Sequence, residues 1–198
     1  MNSMIVGDTK FFAIESSITR AFPNLSQRAL GYFVIHIGGK LHGVRKPDAS
    51  MLGCSFDGVN DRLQQEGTHQ IPLLSNIEAA LIAEAYLEAV YTDTERTNYF
   101  GLSKAKFADL IHKSAVVWAP DGDEAFDDGS HILQFDVESK VRLIAFKNTG
   151  YLEGLVSTVA EEWLDAEVFY NVLSRWSDLF AAEWALKVQE SGDALAKK

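Results

Sequence analysis

HILQFDVESKVRLIAF, residues 131–146, decides the fold, because two runs rich in β-branched and aromatic residues flank a short polar break and so read as a β-hairpin. A three-residue turn at Glu138, Ser139 and Lys140 would pair Val137 with Val141, Phe135 with Leu143 and Leu133 with Ala145, gathering six apolar side chains on one face. It would also set Asp136 opposite Arg142, an opposite-charge cross-strand pair. A two-residue turn would mix Lys140 and Arg142 in with Leu133 and Phe135, so the three-residue turn is preferred, although it puts Lys140 where such turns favour glycine.

That apolar face needs a cover, and the chain supplies one. From Asp165 to Glu190, the residues Phe169, Val172, Leu173, Trp176, Leu179, Phe180, Trp184 and Val188 keep helical spacing, with Asp165 placed as a cap and Gly192 as a stop. On the other side of the hairpin lies PDGDEAFDDG, Pro120 to Gly129, with five acidic residues and no base.

Working outward, Phe11 to Glu15 predicts a short strand and Ser26 to Gly31 a linker. Tyr32 to Ile37 predicts a second strand, which Gly38 and Gly39 turn back into Lys40 to Val44 because paired glycines accept positive φ. Pro47 closes that hairpin. Ser55 is placed to cap a helix running to about Glu66, ahead of Gly67. Ser75 and Glu78 form a capping box for a helix to about Tyr91, buried through Ile82, Ala85, Tyr86, Ala89 and Val90. Ser103 caps a further helix carrying Phe107, Leu110 and Ile111; Ala115 to Ala119 and Leu155 to Val159 read as strands. Hairpins in series with helices between and after them predict an α+β fold. Its antiparallel or mixed sheet would carry helices on one side and end in a long amphipathic helix.

A chain of 198 residues with 47% hydrophobic content buries enough surface to fold without a metal or disulfide, so one domain, residues 1–198, is expected, with the tail 191–198 frayed. The net charge of −10 argues against nucleic acid or anionic membrane as a direct partner and favours a basic protein. Cys54 is the lone cysteine, the opening MNSMIVGDTK lacks the pattern of a secretion signal, and no apolar run is long enough to span a bilayer. A cytoplasmic protein is expected.

No catalytic signature stands out. In Gly53-Cys54-Ser55-Phe56-Asp57-Gly58 the second glycine arrives one residue late for a nucleophile elbow, and Cys54 would need a base that sequence cannot place beside it. A hydrolase using Ser55 or Cys54 is therefore the rival reading. His36, His42, His69, His112 and His131 are scattered without zinc spacing. Asp121, Asp123, Asp127 and Asp128 suggest calcium, but an EF-hand requires a further ligand and then glycine where Ala125 and Phe126 stand. No metal or cofactor is expected. Trp118, Trp163, Trp176 and Trp184 could line a small-ligand pocket, although Trp176 and Trp184 fit the helical stripe. The acidic loop is the candidate binding element: Asp121, Asp123, Glu124, Asp127 and Asp128 supply charge, and Phe126 supplies an aromatic anchor.

Met4-Ile5-Val6-Gly7-Asp8 followed by Phe12-Ala13-Ile14-Glu15 resembles the opening of immunity protein family 42 of bacterial polymorphic toxin systems. The likeness continues through Gly43 to Val59, Val117 to Ser130 and Leu133 to Phe146. The resemblance implies a cytoplasmic, non-catalytic antitoxin that binds a cognate toxin domain, and it brings no catalytic residues with it. An acidic loop that imitates phosphate charge against a basic toxin fits this expectation.

Overall fold

The computed structural model describes residues 3–119, 124–149 and 154–196. The first part of the chain builds an antiparallel sheet from β1 (Met4–Asp8), β2 (Phe12–Ala21), β3 (Ala29–Ile37) and β4 (Lys40–His42), with the short β5 (Ser50–Met51) also paired to β3. Three helices follow: α1 (Leu52–Gln64), α2 (Ala79–Tyr91) and α3 (Lys104–Lys113). A second antiparallel sheet runs in the order β6 (Val117–Ala119), β7 (Ser130–Val137), β8 (Lys140–Lys147) and β9 (Ala160–Asp165). The four-residue α4 (Leu155–Thr158) precedes β9, and α5 (Ala166–Ala196) ends the described chain. The fold is α+β.

The central hairpin is present, but its register differs by one residue from the expected one. Val137 pairs with Lys140, Phe135 with Arg142, Leu133 with Ile144 and His131 with Phe146, around a two-residue turn in which Glu138 takes φ +54°. The reason is burial on both faces. Leu133, Phe135, Ile144 and Phe146 pack with α2 and α3, while Ile132, Val141, Leu143 and Ala145 face α5 and the first sheet. Helices thus lie against both faces of the second sheet rather than one. Arg142 is tolerated among apolar neighbours because its guanidinium donates to the carbonyls of Leu74, Ser75 and Ile77 and pairs with Glu161 at 2.8 Å.

The shared core between the sheets centres on α5. Trp176 is fully buried, stacks on Phe180 at 5.1 Å, meets Phe33 edge-on at 5.0 Å and donates its indole N–H to Ser16 Oγ at 3.0 Å. Phe169, Val172, Leu173 and Phe180 are buried as their spacing predicts, but Leu179 falls off the stripe and is 46% exposed. The helix runs through Gly192 to Ala196, since a single glycine weakens a helix by only ~1 kcal/mol and need not stop it.

Several local signals resolve differently from the expectation. Ser55 lies inside α1, which begins at Leu52 without a side-chain cap. The start is set instead by close packing: a Cβ on Gly53 would stand 2.2 Å from the Ser26 carbonyl oxygen, so only glycine fits. Ser75 ends a short 3-10 turn, Pro72–Leu74, and α2 starts only after Glu78, so the capping box does not form. Ser103 does cap α3, its hydroxyl accepting from the Lys106 N–H. Residues 155–158 are helical, and the strand begins at Ala160.

Candidate functional site

The acidic loop is described from Glu124 onward; Asp121 and Asp123 lie outside the described residues. Glu124 to Phe126 form a 3-10 turn that docks on the β3–β5 region, where the Ala125 carbonyl accepts the Val44 N–H at 2.8 Å. Phe126 is not a surface anchor. It is 2% exposed and meets Phe33 edge-on at 6.2 Å, because the apolar core beneath the loop takes the one large apolar side chain the loop has. Glu124 is exposed, and one carboxylate oxygen accepts the Met51 N–H at 3.4 Å, which places an acid at the start of α1 where the helix dipole favours it. Asp127 is exposed.

Asp128 is committed within the fold. It pairs with Lys147 at 2.6 Å and accepts the Ser130 N–H at 3.1 Å. Burial opposes its charge, but these partners outweigh it and hold the carboxyl below its ordinary range. Close to this pair, His42 is 1% exposed, and among the described residues neither ring nitrogen has a hydrogen-bond partner. Burial, reinforced by the Lys147 charge, lowers its pKa to about 4.

Two buried polar clusters were not visible in the sequence. On the outer face of the first sheet, the 1% exposed carboxylate of Glu15 receives the Tyr32 hydroxyl at 2.9 Å, lies 2.9 Å from His36 Nε2 and pairs with Arg45 at 2.7 Å. Burial alone would raise its pKa, yet the His36 and Tyr32 hydrogen bonds and the Arg45 charge bring it below the usual value. The second cluster is internal. Arg62 donates to Gln134 Oε1 at 2.9 Å and to the Val117 carbonyl at 2.6 Å, while Gln134 and the Tyr170 hydroxyl both donate to Asp136. Among the described residues Arg62 forms no ion pair, and burial pulls its pKa to about 9. A cavity of about 250 Å³, lined by Arg62, His69, Asp61 and Trp118, opens beside it.

Neither cluster assembles a nucleophile with a base. Ser55 is buried within α1 and Cys54 is exposed, and among the described residues no hydrogen bond joins either to a histidine. The tryptophans do not share a pocket: Trp118 lines the cavity, Trp176 is core, Trp184 donates to the Phe22 carbonyl at 2.8 Å, and Trp163 stands on β9, 41% exposed. Among the described residues no group of three or more His, Cys, Asp or Glu could hold a metal, and no helix is long and apolar enough to cross a membrane.

The family described as Immunity protein 42 matches residues 4–179. No curated protein is significantly similar to the chain. Among solved structures, CdiI from Burkholderia dolosa AUO158 shares the fold, with a TM-score of 0.54 and 17% identity over 90% of this chain and 99% of that one.

Proposed function

The chain belongs to the immunity protein 42 family, so it is an immunity protein that neutralises a toxin, and we propose that it does so as a non-catalytic, cytoplasmic inhibitor by direct binding to a basic cognate toxin domain. The observation that carries this reading is the family match across residues 4–179, nearly all of the chain. The net charge of −10 supports a basic partner, since long-range attraction accelerates encounter with a surface of opposite sign. Ser55, buried inside a helix, is poorly placed to attack a substrate.

The acidic loop enters this proposal as a charge element without an aromatic anchor. Glu124, Asp127 and Asp128 place acids beside β3 and β5, with Glu124 and Asp127 facing solvent, and Asp121 and Asp123, outside the described residues, add two more acids to the same stretch of sequence. The test is co-expression with the toxin domain encoded beside the immunity gene, followed by titration of toxin activity with purified protein. Inhibition complete at equimolar amounts and retained by Ser55→Ala and Cys54→Ala fits binding alone. Full protection at strongly substoichiometric amounts would make the protein an enzyme.

A further inference from the structure

The cavity of about 250 Å³ beside the internal cluster is lined by charges of both signs, Arg62 and Asp61. They are neighbours on α1, and adjacent residues on a helix project about 100° apart, so the two side chains line one cavity without facing each other. No ion pair joins them, and among the described residues neither pairs with any other charged group.

Arg62 is 6% exposed, yet its hydrogen bonds go to neutral acceptors, Gln134 Oε1 and the Val117 carbonyl, and its Nε–H has no partner among the described residues. The charge of Asp136 is felt at Arg62, but its carboxylate oxygens are occupied by the Tyr170 hydroxyl, the Gln134 amide and the His69 backbone N–H. A buried guanidinium held only by neutral groups is costly, and a carboxylate is the acceptor its planar fork fits. The remaining walls suit a small polar molecule. The Trp118 ring centroid lies 5.1 Å from the Arg62 guanidinium carbon. His69 is 1% exposed, and among the described residues no hydrogen bond reaches either ring nitrogen. Burial and the Arg62 charge lower its pKa, against the pull of Asp136 and of the nearby Ser114 and Ala115 backbone, so the ring is neutral and offers one donor and one acceptor.

We propose that this cavity binds a free α-amino acid, with its carboxylate received by the Arg62 guanidinium, its ammonium by Asp61 and its side chain beside the Trp118 ring. A simple anion would satisfy Arg62 but be repelled by Asp61, whereas a ligand carrying both signs satisfies both. The volume lies below the ~300–1,000 Å³ of pockets for drug-sized ligands, which limits the occupant to a single small molecule. Asp61 is exposed, so the ammonium end sits at the mouth and the carboxylate end at the buried Arg62. The site is independent of toxin neutralisation.

The experiment titrates the common L-α-amino acids, one at a time, into isotope-labelled protein and follows the Trp118 indole N–H resonance, identified by its loss in Trp118→Phe. Acetate, methylammonium and sodium chloride serve as controls. At least one amino acid is expected to give a saturable shift, with acetate and methylammonium binding about tenfold or more weakly, since each lacks one charged hydrogen-bonding end. Asp61→Asn should weaken the amino acid by about the same factor, and Arg62→Met should abolish its binding. No saturable shift with any amino acid, a shift that sodium chloride reproduces, or equal binding by acetate overturns the site, as does unchanged affinity in Asp61→Asn. Should Arg62→Met unfold, Asp61→Asn, at its exposed position, decides alone. Each of these failures leaves the inhibitor reading intact.

Discussion

The Arg45 guanidinium stands 2.7 Å from the carboxylate of Glu15, although Arg45 is half exposed and Glu15 is 1% exposed. A surface cation thus closes over a buried anion that also takes the Tyr32 hydroxyl. Because the folded pKa of Glu15 is depressed, its contribution is present above the unfolded carboxylate value of ~4.3 and is lost as pH falls through the folded value. Glu15→Gln should lower stability at neutral pH by about 1–3 kcal/mol, the cost of leaving buried groups without a charged acceptor. Denaturant titrations from neutral pH downward check this. The gap between wild type and variant should narrow in the acid range, and a constant gap would mean that the carboxylate charge is immaterial.

His42 acts in a different window. With a folded pKa of about 4, against ~6.5 in the unfolded chain, the unfolded state binds more protons between these values, so stability falls as pH drops through that interval. The difference corresponds to about 3 kcal/mol lost between neutral pH and pH ~4. His42→Leu removes the titrating group. Its stability should therefore stay flatter than that of the wild type across this range; parallel curves would show that His42 is protonated in the native state.

Trp176 ties α5 to β2 through packing and through the hydrogen bond to Ser16. Trp176→Ala should cost ~3 to 5 kcal/mol, a large share of the ~5 to 15 kcal/mol that holds a typical domain folded, because a fully buried aromatic leaves a large cavity. Trp176→Phe keeps most of the volume but leaves the Ser16 hydroxyl without its donor, so a loss of ~1 kcal/mol is expected. Urea unfolding of the two variants separates the packing from the hydrogen bond.

The helical stripe of α5 was legible because one periodicity runs through Phe169, Leu173, Trp176 and Phe180, all of which are buried. The hairpin was legible as an element, whereas its register was not. The expected register assumed one dry face, and only the three-dimensional arrangement shows both faces covered and Arg142 satisfied by the Leu74, Ser75 and Ile77 carbonyls. Cap signals divided along the same line. Ser103 caps a helix that begins beside it, whereas Ser55 and Ser75 sit where tertiary packing has fixed a different start. The polar clusters were hidden for a simpler reason: Glu15 and Arg45, like Arg62 and Gln134, are far apart in sequence and share no spacing motif. Phe126 misled because an aromatic among acids looks exposed until the apolar core beneath it is seen.

The acidic loop divides into residues that hold the fold and residues free to act on a partner. Asp128 is engaged by Lys147 and Ser130, and Glu124 by the Met51 N–H, so neutralising either alters the structure as well as the charge. Asp127 is exposed, and Asp121 and Asp123 lie outside the described residues. Converting Asp121, Asp123 and Asp127 together to Asn should slow association with a basic toxin domain. Solvent-facing charges act mainly on the encounter rate, and salt weakens them as the Debye length shortens to ~8 Å near physiological ionic strength. The wild-type association rate should fall steeply with added salt and the triple variant's only shallowly, with the two curves meeting at high salt. Asp128→Asn, by contrast, should lower stability by about 1–3 kcal/mol, because it strips the Lys147 ammonium of its charged partner. Stopped-flow binding at several salt concentrations is the measurement; superimposable association rates at low salt would exclude the loop from steering and leave the encounter to other acidic surfaces.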